Sequence, residues 1–194
     1  MSLKRPKGPA GTLVVLEHSS KILKGNPLGD PHVRKVGVWL PPQYDDFGKK
    51  RFPVLYDFVG FTGSGLAHTS WKPFGDNVPE RAARLIREKK MGPAILVFPD
   101  CFTALGGNQY VNSSAIGNYA DYLTREIVPF VDRNFRTLAS RDHRGCFGKS
   151  SGGYGAIVHA MNTESDNFTA EMVLKQLGTL EGGVGSSAAG GRVV

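Results

Sequence analysis

Long apolar runs are absent from this 194-residue sequence. With them goes any stretch of about 18 residues that could cross a bilayer as a helix, so no membrane partner is expected. Cysteine is scarce: Cys101 and Cys146 are the only two, too few for a disulfide framework. Buried free thiols are a simpler reading of them than a reactive or metal-binding pair. The first ten residues are basic, but Thr12 to Leu16 is too short for the apolar core of a signal peptide, which makes a cytoplasmic location the default. Acidic residues are outnumbered, 17 against 24 Lys plus Arg for a net charge of +7. The basic runs (Lys4, Arg5 and Lys7; Lys49, Lys50 and Arg51) nevertheless lack the interleaved aromatics that stack on bases, and nucleic acid is not an expected partner.

Glycine is what the sequence has in quantity, 25 residues, and one cluster of it carries chemistry. Arg144 to Ala156 reads RGCFGKSSGGYGA, in which Gly148, Ser150 and Gly152 have the G-x-S-x-G spacing of a nucleophile elbow. Small residues two before and two after the serine let the chain turn sharply from strand to helix and lift the hydroxyl clear of the sheet. Ser150 is therefore the candidate nucleophile. The letters GKS also begin to spell a phosphate-binding loop, but that motif needs a glycine where His143 stands, and Gly145 leaves too short a loop to wrap a phosphate.

Along the chain, residues 1–20 read as an arm followed by a first strand, Thr12 to His18. A second strand, Val33 to Leu40, follows the turn-rich Lys24 to Pro31 and stops at Pro41 and Pro42; Gln43 to Arg51 reads as polar loop. Phe52 to Val59 is apolar almost throughout, as suits a central strand covered on both faces. It runs into the glycine-rich turn Gly60 to Gly65. Pro79 to Lys90 has helical periodicity, Ala94 to Phe98 reads as a short buried strand, and Tyr119 to Asn134 as a second helix with a kink or break at Pro129. His143 to Phe147 then forms the elbow strand. Alternation of strands and helices predicts an α/β fold, a mostly parallel sheet with helices on both faces, and a site at the strand ends near Gly60, Asp100 and Ser150.

These blocks resemble the esterase D and enterochelin esterase-like branch of the α/β-hydrolases. The likeness is carried by KGNPLGDPHVR (Lys24 to Arg34), VWLPPQYD (Val38 to Asp45), FPVLYDFVGFTG (Phe52 to Gly63), VFPDCFT (Val97 to Thr103), QYVNSS (Gln109 to Ser114) and GKSSGGYGA (Gly148 to Ala156), in the family's order over residues 21–161. It implies a serine carboxylesterase that works through an acyl-enzyme on Ser150, with a small-molecule ester as substrate and neither metal nor organic cofactor. It also implies an oxyanion hole made by the backbone N–H groups of Phe61 and Ser151. Many relatives have His-Gly where this chain has Val59-Gly60.

The pattern breaks after the serine. The family's acid and histidine follow the nucleophile in chain order, yet His159 is the only histidine beyond Ser150. It lies nine residues into the departing helix, about 13 Å along its axis, and reads as a packing or surface residue. His18, His32, His68 and His143 precede the serine, with His68 the best placed by position. Glu164, Asp166 and Glu171 lack a histidine to orient, so neither triad partner is found. Residues 162–194 read as an atypical Gly/Ser-rich tail, with one short helix over Asn167 to Leu177. The expectation is a C-terminally truncated α/β-hydrolase domain, possessing the elbow but doubtful in activity, with a non-catalytic binding or regulatory remnant as the alternative. A sheet edge left exposed at the elbow strand would favour a homo-oligomer.

Overall fold

The computed structural model describes residues 10–46, 48–161 and 167–168. Its centre is a five-stranded sheet in the order β1-β2-β4-β3-β7, with β1 Thr12–Ser19, β2 Val33–Leu40, β3 Val54–Phe58, β4 Ile95–Pro99 and β7 Arg144–Gly148. The sheet is mixed. β4, β3 and β7 run parallel, while β1 pairs with β2 and β2 with β4 in antiparallel fashion. A two-residue ladder, β5 Asn112–Ser113 with β6 Gly117–Asn118, lies apart from it.

Strand pleating sorts the core onto two faces. Val54, Tyr56 and Phe58 of β3 join Val97, Cys146 and the helical residues Tyr119, Tyr122, Ile127 and Ala156 on one face. Leu55 joins Leu96, Phe98, Phe147, Ala82, Leu85 and Ile86 on the other. The apolar run Phe52 to Val59 is thus a central strand buried from both sides, as its composition suggests.

Helix α1 is a single turn, Gln43–Asp46, where a polar loop was expected. Helix α2, Val78–Arg87, begins at a reciprocal cap in which Asn77 Oδ1 accepts from the Glu80 N–H and the Glu80 carboxylate accepts from the Asn77 N–H. That arrangement satisfies two donors every helix start leaves open. The second predicted helix is three consecutive helical segments: α3 Tyr119–Asp121, a π-helical stretch Tyr122–Ile127, and α4 Val128–Asn134. The helical run continues through Pro129 in the first turn of α4, and the change of winding from π to α comes just ahead of the proline, where a break was expected. Helix α5 is Ser151–Met161.

Cys101 and Cys146 are free and buried. Both belong to the same core cluster, but β3 lies between their strands. Burial pushes both thiols up, and the nearby Asp100 carboxylate adds to this at Cys101. Among the described residues β7 is the outer strand of the sheet. No helix among them is long and apolar enough to cross a membrane. The proposed tail helix and the carboxylates Glu164, Asp166 and Glu171 lie outside the described residues, save Asn167 and Phe168. Phe168 is buried, edge-on to Tyr56, Phe58 and His159.

Candidate active site

Strand β7 passes into α5 through Lys149 and Ser150, and Ser150 has the left-handed φ of 55°. A residue with a Cβ adopts this conformation only under strain, and the surroundings show what enforces it. A Cβ on Gly148 would stand 2.3 Å from the Phe58 carbonyl oxygen, and one on Gly152 only 1.8 Å from it. The two glycines flanking the serine therefore let β7 and α5 press against the end of β3, and the turn between them takes up the strain. The Ser150 carbonyl accepts from the Tyr154 N–H at 3.0 Å. Ser150 itself is exposed and Ser151 buried.

The turn after β3 comes up beside this elbow. A Cβ on Gly60 would lie 3.7 Å from the Ser150 Cβ and 3.5 Å from the Lys149 carbonyl. Gly60 accepts from the Gly63 N–H at 3.0 Å, and Phe61 accepts from the Gly107 N–H at 2.5 Å. Gly107 has no room for a side chain, since its Cβ would meet Phe61 Cα at 2.8 Å. No main-chain acceptor among the described residues takes the N–H of Phe61 or of Ser151. The second of these is at a helix start, where the peptide dipoles add positive potential.

His159 is buried, not exposed. Its Nε2 lies 2.8 Å from the Tyr110 carbonyl, an acceptor only, so this nitrogen carries the proton and donates. Desolvation holds the ring's pKa below the ordinary histidine value.

His68 lies in a 3₁₀ turn, Gly65–Thr69. Its Nδ1 is 2.8 and 2.9 Å from the two carboxylate oxygens of Asp57. The side chain of Asp57 is fully buried in β3, and burial raises its pKa, against the lowering effects of His68 and Lys72. The 3₁₀ turn packs toward β2 and β4: a Cβ on Gly65 would meet the Pro99 carbonyl, and one on Gly37 would meet Leu66. Asp57 escapes a sequence reading that sees only an apolar run. The available signal is the carboxylate itself, which cannot be buried inside such a run without a partner.

His18 bonds Glu126 at 3.3 Å, and Ser20 donates to the same carboxylate. His143 closes a 3₁₀ turn, Arg141–His143, instead of opening the elbow strand, and meets Ser140 Oγ at 2.9 Å. His32 is half-buried at the entry to β2. No cluster of three or more potential metal ligands occurs among the described residues.

Comparison with known proteins bears on the family and the fold. A family model described as "Putative esterase" matches residues 31–173. An esterase of Mycobacterium tuberculosis is 34% identical over 132 residues, covering 64% of this chain and 25% of its own. The chain thus spans about a quarter of the length of the curated relative it matches. Among solved structures, a ferulic acid esterase superposes with a TM-score of 0.67 at 21% identity, covering 81% of this chain and 57% of the other. An S-formylglutathione hydrolase from Agrobacterium tumefaciens superposes with a TM-score of 0.59 at 20% identity, covering 87% and 59%. At such identities the likeness is one of fold, the mixed and helix-covered sheet of the α/β-hydrolases.

Proposed function

Because the chain belongs to this family of esterases, which matches it over residues 31–173, we propose that it is a serine carboxylesterase with Ser150 as nucleophile. The observation that carries the reading is the strained elbow: Ser150 at φ 55° between β7 and α5, beside glycines that a methyl group would drive into the Phe58 carbonyl. Such strain persists only where the surroundings enforce it, and it is characteristic of functional sites.

In the proposed reaction the Ser150 hydroxyl oxygen bonds to the acyl carbon of a small-molecule ester while a base takes its proton. The carbonyl π pair moves onto oxygen, and the resulting oxyanion is held by the N–H groups of Phe61 and Ser151. Collapse expels the alcohol, which leaves with the proton, and the acyl-enzyme is then hydrolysed by water. Donors fixed in advance stabilise the charge that develops more than the neutral substrate, which is how they lower the barrier. Because both donors are backbone groups, Val59 in place of the relatives' histidine does not remove them.

The base is not His159, whose Nε2 is committed to Tyr110. We read the Asp57–His68 pair as structural, because its turn packs on the β2 and β4 side of β3 while Ser150 follows β7 on the other side. The histidine that the resemblance places after the nucleophile has no counterpart between Ser150 and Val194 other than His159. Turnover by these 194 residues alone should therefore be slow.

The test is labelling with a fluorophosphonate probe, with Ser150→Ala as control. Labelling that disappears in the control supports the reading, and its persistence in Ser150→Ala would exclude Ser150 as the nucleophile. Absence of labelling in a folded wild-type chain would favour a non-catalytic binding protein built on an esterase fold. We further propose self-association through the outer edge of β7, which has no partner strand among the described residues and presents ladder groups to a second copy. A monomer in sedimentation at high protein concentration would exclude that proposal.

A further inference from the structure

Tyr110 is one of three non-glycine residues with a left-handed φ among the described residues, and it stands at 60°. Lys89, at 56°, follows the end of α2, and Ser150 is the elbow serine. An aromatic residue in this region is an outlier that its surroundings must hold in place. What holds Tyr110 comes from both halves of the candidate site. Its hydroxyl donates to the Val59 carbonyl at 2.7 Å, immediately before the Gly60-Phe61 turn. Its ring stacks on Phe58 at 4.5 Å with the planes 14° apart. The same ring fills the space over Gly155, where a Cβ would come within 2.7 Å of it. Its carbonyl accepts from His159, about two and a half turns along α5 from the serine. Its own N–H donates to Asn108 Oδ1 at 2.7 Å, and Asn108 in turn donates to the Cys101 carbonyl at the end of β4.

Building on Ser150 as the nucleophile, we propose that Tyr110 is a positioning residue that clamps the oxyanion turn to the nucleophile helix. One donor of the hole, Phe61, is on the turn after β3, and the other, Ser151, begins α5. The distance between them is set by what spans the two elements. Tyr110 spans them with its hydroxyl on Val59 and with its ring and carbonyl on Gly155 and His159, so the hole's width is held without Tyr110 touching substrate. A displacement of about 1 Å in such a frame is enough to cost catalysis heavily. Of these contacts the Val59 bond is the separable one, because removing the hydroxyl keeps the ring, its stacking and the backbone.

The test compares wild type with Tyr110→Phe by two readouts. The first is hydrogen exchange of the Gly63 and Gly107 amides, which bond to Gly60 and Phe61 in the turn, against the Val38 amide in the central sheet. The proposal expects Gly63 and Gly107 to exchange roughly ten-fold faster in the variant while Val38 is unchanged, since only local opening is eased. The second is the rate of Ser150 phosphonylation, expected to fall roughly ten-fold or more when measured well below the melting transition of both proteins, with an unchanged pH profile because no base is altered. Unchanged exchange at Gly63 and Gly107 would overturn the clamp whether or not the serine labels. Equal acceleration at Val38 would also overturn it, by showing general loosening instead. Failure of wild-type Ser150 to label refutes the nucleophile reading separately, and the exchange comparison still decides the clamp.

Discussion

His68 holds its Nδ1 2.8 Å from Asp57, a carboxylate fully buried in the interior strand β3. Desolvation, the largest influence on Asp57, raises its pKa above the ordinary 3.8. A carboxyl raised in the folded state contributes stability that is complete below its unfolded pKa and is lost as pH rises through the folded one. Urea midpoints of the wild type should therefore carry a component that declines from about pH 4 upward. Asp57→Asn should remove that component. Identical pH profiles for the two proteins would contradict it.

Removing the partner should cost more than removing the charge. His68→Ala leaves a buried carboxylate without its donor, an expected loss of roughly 1–3 kcal/mol in urea unfolding. If Ser150 labels in the wild type, it should still label in a folded His68→Ala protein. Abolished labelling there would make His68 the base after all.

The elbow glycines should tolerate no methyl group. At Gly152 the added carbon would sit 1.8 Å from the Phe58 carbonyl oxygen, a backbone atom that cannot swing aside. Gly152→Ala is expected to lose at least about 3 kcal/mol of stability, the upper end for overpacking. A shift of the urea midpoint no larger than that of a surface substitution would show that β3 and α5 can separate freely.

Strain at Ser150 gives a signature in stability. Relieving a left-handed residue by glycine is worth roughly 1–2 kcal/mol, partly offset by the greater freedom glycine brings to the unfolded chain. Ser150→Gly should accordingly be about 1 kcal/mol more stable than Ser150→Ala. Equal melting temperatures would mean that the turn stores no strain at this position.

His159 should contribute to the slope of stability on the acid side. Desolvation lowers its pKa below 6.5, so the stability it contributes is present above pH 6.5 and is lost as pH falls through its folded value. His159→Gln should flatten the decline below pH 6.5 seen in wild-type urea midpoints. An unaltered slope would show that the ring takes up its proton in the folded state without cost.

Much of this was legible in the chain. The apolar run Phe52 to Val59 announced a strand covered on both sides, because only burial explains so few polar residues in a row. Gly148, Ser150 and Gly152 announced the elbow, because steric exclusion of a Cβ is a local property that spacing records. The run Tyr119 to Asn134 announced a helical segment, though not that a π-helical stretch would precede Pro129 in place of a break. The antiparallel pairing of β2 with β4 was not legible, since strand partners depend on which residues distant in sequence meet.

Charge and hydrogen-bond partnerships were hidden for the same reason. Nothing in the apolar run around Asp57 indicates that His68, eleven positions on, holds its carboxylate. Tyr110 bonds Val59, 51 residues earlier, and His159, 49 residues later, partners that no local pattern indicates. The sequence by itself determined the strand and helix periodicity, the elbow and the nucleophile candidate, because these rest on sterics and hydrophobic spacing within a few residues. Only the tertiary structure decided which donor meets which acceptor across the core, because a buried polar group is satisfied by whatever the fold brings to it.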